Sequence, residues 1–238
     1  MVRLAAVAVV ALGACSVPDL ALDGKQCPCA DGYVCHTATN TCHPGDAAVD
    51  APPPGSSCLG AEAARLFTID WNDDMLKLTT GAGTWTASGG EAHQGDAAAT
   101  TAFAYSTSAT PSDYRVAAKL IPGSGTGLGV AFRVALGAKT MYLCEWRPSA
   151  GQLVLAWTNN GGNPTQLAAV PVTGGSATAT VTIHAEAKGT TLSCCIDELP
   201  SAKLLNVTDT HYANGQAGVE TTSATASFDD LVVSALPI

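Results

Sequence analysis

Trp146, Arg147 and Trp157 are the residues best suited to grip a polar ligand. An exposed indole stacks on the apolar face of a sugar ring while nearby polar groups bond the ring hydroxyls. Tyr142, Arg133 and Glu145 complete a candidate glycan cleft. In a chain only 5% aromatic, a Trp is first a core filler, so sheet packing is the competing role. Carboxylates offer two further chemistries. Cleaving a glycosidic bond usually takes two carboxyl groups flanking it, one of them holding its proton near neutral pH. The six Glu stand at 62, 91, 145, 186, 198 and 220; Glu145 is the best single acid, and no partner for it is evident. The adjacent Asp197 and Glu198 would point apart on a strand. Asp70, Asp73 and Asp74 near one end, with Asp229 and Asp230 near the other, could pool oxygen ligands for a structural Ca2+. Paired Asp at strand ends also form turns. Nucleophile chemistry has little support: Gly-x-Ser-x-Gly is absent, and the five His lack an identifiable orienting partner. The glycine-rich stretch 123–129 precedes a strand and not a helix, so it is no phosphate cradle.

The cysteines divide by position. In the run Cys27-Pro28-Cys29, Cys35, Cys42, four Cys within sixteen residues read as a stapled microdomain, too small to bury a core of its own. By spacing it resembles the short cysteine knots of extracellular proteins, with three pairings open. Cys35-His36 and Cys42-His43 suggest zinc as the rival reading, but the paired spacings typical of zinc sites are missing. Further on, Cys144 falls in one expected strand and Cys194-Cys195 in another. Neighbours on a strand face opposite ways, so Cys144 reaches only one of that pair, and the other is left to pin Cys58.

Residues 1–14 carry one basic side chain, Arg3, then an apolar run over 4–12 and small residues, the layout of a secretory signal. That run is too short to span a bilayer, which takes about twenty apolar residues, and no later stretch supplies them. Leu12-Gly13-Ala14-Cys15 resembles the lipobox of bacterial lipoproteins. The resemblance implies that Cys15 is acylated and becomes the mature N-terminus, tethering the chain to the membrane through lipid; plain cleavage by the ordinary signal peptidase is the alternative. Ser16, in place of Asp, then points to the outer membrane of the cell envelope. Export favours disulfides over metal at the cysteines. Eleven basic against 20 acidic residues, a net charge of -9, leave no basic surface for a nucleic-acid partner.

Residues 15–43 therefore form a lipidated N-terminus with the Cys-rich module, and 44–57, with three consecutive Pro, a semi-extended linker. From about residue 58 a single domain follows. Tyr114, Val116, Ala118 and Leu120 alternate with Arg115 and Lys119, and Val181, Ile183 and Ala185 with Thr182, His184 and Glu186. Period two means strand. Similar runs cover 66–71, 127–135, 140–147, 152–158, 190–197, 215–220 and 227–234, with hairpin turns at 88–91 and 159–162. The pattern predicts an all-β fold, a two-sheet antiparallel jelly-roll sandwich.

Asp70 then Gly83-x-Trp85, the run Gly127-Leu128-Gly129-Val130-Ala131-Phe132-Arg133, the strand from Tyr142 to Trp146, Gly151-Gln152-Leu153, and Gly215-Gln216-Ala217-Gly218-Val219 followed by Phe228-Asp229-Asp230-Leu231-Val232-Val233 occur in that order. Together they resemble the concanavalin A-like lectin/glucanase superfamily, nearest its laminin-G-like and 3-keto-disaccharide-hydrolase-like branches, over about residues 66–236. The resemblance implies a jelly roll that hosts lectins, adhesion modules, spacers and glycosidases. Glucanases of that superfamily carry Glu-x-Asp-x-x-Glu on one strand, and the motif is absent here. The expectation is a lipid-anchored, non-enzymatic module binding glycan or surface polymer. A glycosidase, which needs a carboxyl pair on a concave face, and a protein-binding spacer are the alternatives.

Overall fold

The computed structural model describes residues 33–36, 41–44, 56–61, 63–71, 78–108, 110–135, 137, 139–174 and 176–237. The chain divides into two compact units, Met1–Gly45 and Asp46–Ile238. Within the first, β1 (Tyr33–His36) and β2 (Thr41–Pro44) pair antiparallel, with Cys35 opposite Cys42. Cys15, Cys27, Cys29, Asp73 and Asp74 lie outside the described residues.

The second unit is built from antiparallel strands: β3 (Ser56–Ser57), β4 (Gly60–Ala61), β5 (Arg65–Ile69), β6 (Leu78–Ala82), β7 (Trp85–Ser88), β8 (Glu91–Gln94), β9 (Ala102–Ser106), β10 (Tyr114–Ala135), β11 (Thr140–Arg147), β12 (Gln152–Thr158), β13 (Thr165–Pro171), β14 (Val181–Lys188), β15 (Thr191–Ile196), β16 (Lys203–Thr208) and β17 (Gln216–Ser234). Two of these, β10 and β17, are long enough to belong to both layers of a sandwich. They pair with each other along nearly their whole length, with register shifts between Pro122 and Gly125 that mark the corner. Gly125 makes the bend possible: its φ is +112°, and a Cβ there would sit 2.1 Å from the Ser223 carbonyl oxygen. Before the corner, the first sheet runs β16-β15-β14-β10-β17, with β5 and β8 end to end along the far edge of β17 and β7 beyond β8. After it, the second sheet runs β13-β12-β11-β10-β17-β9-β6. The two-sheet jelly roll read from the alternation is the observed fold.

Alternation places the core between the layers. Val116, Ala118 and Leu120 of β10 and Ile183 and Ala185 of β14 face Leu128, Val130 and Phe132 of β10 and Tyr142, Cys144 and Trp146 of β11 in one buried cluster. The Cys144–Cys194 disulfide staples the two sheets through that core. On the opposite face of β15, Cys195 bonds Cys58 and fastens the entry hairpin β3–β4 to the outside of the first sheet. Adjacent cysteines thus serve opposite faces, as period two requires.

Candidate carboxylate site

The outer face of the second sheet departs from the expected pattern. Solvent should wet it, yet Phe103, Tyr105, Ala131, Val134, Met141, Leu143, Val154 and Ala156 form a second buried apolar cluster there. The β12–β13 turn contributes to the burial. Thr158 at the end of β12 and Thr101 just before β9 both donate to the Gly162 carbonyl, at 2.8 and 3.1 Å. Three strands separate β12 from β9 in this sheet, so a shared acceptor requires the face to be concave, with the turn folded across it.

Two carboxyl groups lie on that concave face. Glu145 on β11 and Glu220 on β17 are both directly opposite Gly129 on β10, one from each side. Their backbones are two strand spacings apart, ~10 Å. One register step away, Thr222 is opposite Gly127, and the Glu145 carboxylate leans over that glycine: a Cβ on Gly127 would fall 1.7 Å from Glu145 Oε1. Both Glu are 0% exposed. Arg147 Nη2 donates to Glu145 Oε2 at 2.8 Å, and the Arg147 side chain is 21% exposed, making it the solvent-side member of the group. Thr222 Oγ1 stands at the edge of hydrogen-bond range, 3.5 Å from Glu220 Oε2.

Hydrogen bonding in this cluster is incomplete. Glu145 Oε1, Glu220 Oε1 and Arg147 Nε are buried and have no partner. Buried polar atoms in native proteins are almost always satisfied, by protein, water or ligand. Burial pushes the Glu145 carboxyl above the usual carboxylate range, against the hydrogen bond and charge of Arg147. Burial pushes Glu220 further up, the negative charge of Glu145 adds to it, and Arg147 and Thr222 offset only part. Two carboxyls served by one guanidinium in a buried site resist being charged together, which is why both are raised.

The other residues expected at a cleft are placed elsewhere. Trp146 is 2% exposed and points into the core, because alternation sends it to the face opposite Glu145 and Arg147. Trp157 also lies on the inner side, at the end of the sandwich, with His211 stacked on its ring at 4.1 Å and 21°. That stacking surface is occupied. Arg133 is 1% exposed and spends its guanidinium on the carbonyls of Ser112 and Tyr212, binding two loops together. Tyr142 is fully buried and donates to Asp209, and burial followed by that acceptor pushes its hydroxyl up to about 12. The structure places these four in core packing or loop contacts, and of the expected set it brings only Glu145 and Arg147 to the concave face. Sequence reading missed Glu220 and Thr222, whose signal is the Gly-x-Gly of 127–129: glycines inside a strand mark close approach from both neighbouring strands.

Among the metal candidates, β5 does pair with the end of β17, bringing Ile69 opposite Leu231 and hence Asp70 near Asp230. Asp229 is paired with Lys119 Nζ at 3.2 Å. A recess of about 110 Å³ at the corner is bounded by Gly123, Gly125, Gly127, Pro148, Ser149 and Thr225, so Gly127 borders both it and the carboxyl pair.

No protein-family model matches the chain, and no curated protein sequence does. Solved structures do match in shape. A carbohydrate-binding module, CBM66, from Bacillus subtilis superposes with a TM-score of 0.58 at 19% identity, covering 67% of this chain and 96% of that one. A Bacillus subtilis protein of unknown function with a galectin-like fold gives 0.52 at 13% identity, over 73% and 96%. The exoplasmic/lumenal domain of VIP36, in a form bound to Ca2+ and Man3GlcNAc, gives 0.53 at 10%, over 72% and 89%. At these identities the likeness is one of fold, and that fold is the lectin-type jelly roll.

Proposed function

We propose that this chain is a glycan-binding module displayed from the bacterial cell envelope, and that the glycan docks at Glu145, Arg147, Glu220 and Thr222. The observation that carries the reading is the convergence of three unsatisfied buried polar atoms, Glu145 Oε1, Glu220 Oε1 and Arg147 Nε, over a floor of two glycines. Carboxylates accept from paired sugar hydroxyls, the guanidinium donates to ring or hydroxyl oxygens, and side-chain-free backbone lets a ring approach closely. Arg147 swings outward to admit the ligand. The shared jelly roll with a carbohydrate-binding module and a mannose-bound domain supports this reading. Leu12-Gly13-Ala14-Cys15 supports display through lipid on Cys15 at the outer membrane, with residues 15–43 and the linker 44–57 spacing the sandwich from the anchor.

The test is glycan-array binding by the exported chain, followed by calorimetry on Glu145→Gln and Arg147→Ala. Saturable binding that both substitutions weaken by more than about tenfold is expected, since each removes a charge-assisted hydrogen bond. Binding indifferent to both removes the site. Mass spectrometry of the membrane fraction checks the anchor: an unacylated residue 15 overturns it.

A second reading, glycoside hydrolysis, is favoured by the same pair: Glu220, raised by burial and by the charge of Glu145, is the candidate acid, and Glu145, paired with Arg147, the candidate base or nucleophile. Chromatography of the array ligands after long incubation separates the two. Intact ligand leaves a binding module, and cleavage lost in Glu220→Gln makes it an enzyme.

A further inference from the structure

The outer face of the first sheet carries a second cluster, remote from the carboxyl pair. One donor atom each from Cys58, His184 and Asp197 lies within 4.8 Å of the others. Cys195 stands beside this trio on the same face of the sheet, its sulfur bonded to Cys58 and its backbone directly opposite His184 in the β14–β15 ladder. His184 is 2% exposed, its Nε2 is 2.8 Å from Asp197 Oδ2, and its Nδ1 is buried without a partner.

The disulfide is not all that holds this arrangement. Arg115, 3% exposed, donates to Ser57 Oγ and to the carbonyls of Leu59, Gly60 and Ala61, while its other contact is Glu186 at 2.6 Å. The Cys58 amide donates to Asp197 Oδ1 at 2.6 Å. These bonds keep the entry hairpin seated when the S–S bond opens, so the Cys58 sulfur stays beside the imidazole and the carboxylate, with Cys195 on the same face of the sheet. Two thiolates, one imidazole nitrogen and one carboxylate oxygen make a four-ligand set of the kind Zn2+ takes tetrahedrally, and the soft sulfur donors select it over Ca2+ or Mg2+.

We propose that Cys58, Cys195, His184 and Asp197 form a zinc site when the Cys58–Cys195 disulfide is reduced, so that the clasp between entry hairpin and sandwich closes through sulfur in one redox state and through metal in the other. A dithiol supplies the reduction: it gives two electrons and two protons to the S–S bond, yielding two thiols, and is itself oxidised to a disulfide. Zinc then replaces the two thiol protons, which pass to solvent, and takes the place of the hydrogen bond between His184 and Asp197. Cys144 and Cys194, fully buried in the core, belong to the other face and take no part.

The experiment uses the full chain with Cys27→Ser, Cys29→Ser, Cys35→Ser and Cys42→Ser, so that those thiols do not compete. A phosphine serves as reductant because it leaves the metal free. Native mass spectrometry of the reduced chain is expected to find one Zn2+, with a raised thermal midpoint and, on Co2+ substitution, a thiolate-to-metal charge-transfer band. The oxidised chain binds none. His184→Ala and Asp197→Asn each weaken zinc binding by more than about tenfold, and Cys58→Ser abolishes the band; melting of each variant before reduction verifies its fold, for Cys58→Ser against Cys195→Ser. A reduced chain that takes up no zinc, or zinc affinity unchanged by the His184 and Asp197 substitutions, overturns the proposal.

Discussion

Replacing Glu220 by Gln probes the raised carboxyl without disturbing shape, since the amide is a neutral isostere of the protonated acid. Burial and the facing Glu145 raise the Glu220 carboxyl in the folded chain, whereas in the unfolded chain it titrates near the ordinary value of about 4.3. Between those two values the folded state holds one proton that the unfolded state has released. Stability then falls as pH rises, by about 1.4 kcal/mol per pH unit for one proton. The contribution is intact below the unfolded value and is lost progressively above it, until the folded group itself ionises. The amide of the variant carries no such dependence. Urea unfolding of wild type and Glu220→Gln at matched pH should therefore diverge from near coincidence at pH 4, the variant gaining stability relative to wild type as pH rises above the unfolded value of about 4.3. Parallel stability profiles, with no divergence across that range, would refute the argument from the raised carboxyl.

Three further outcomes follow from the same geometry. Gly127→Ala places a methyl 1.7 Å from Glu145 Oε1, a movable side-chain atom, so it displaces the carboxylate and lowers glycan affinity by more than about tenfold while the melting temperature barely shifts. Gly129→Ala puts its methyl 1.9 Å from the Cys144 carbonyl oxygen, which is backbone in mid-sheet, and costs about 1–3 kcal/mol in denaturant unfolding. Paired Cys144→Ala and Cys194→Ala substitutions open a loop of 50 residues and lower unfolding free energy by about 4 kcal/mol; a loss under about 1 kcal/mol in equilibrium unfolding contradicts the stapling role.

Local pattern carried most of the fold. The alternation in 114–120 and 181–185 names the core face correctly, and the same rule assigns Cys194 and Cys195 to opposite sides. Applied to 145–147, it also separates Trp146 from Glu145 and Arg147, a consequence that grouping by nearness in sequence overlooks. The site itself was only half legible. Glu145 and Glu220 are 75 positions apart, and what joins them is the register of two strands against Gly129, a non-local quantity that no window of sequence contains. The burial of the second sheet's outer face was equally hidden, because it depends on sheet curvature and on where the 159–162 turn lands.

A crystal structure of the chain with its best array ligand tests the central claim most directly. The account predicts sugar density at the concave face, with ligand hydroxyls within hydrogen-bond distance of Glu145 Oε1 and Glu220 Oε1 and with Arg147 turned outward. Ligand bound at the Trp157–His211 end, or any complex in which both carboxyl oxygens keep no partner, contradicts it.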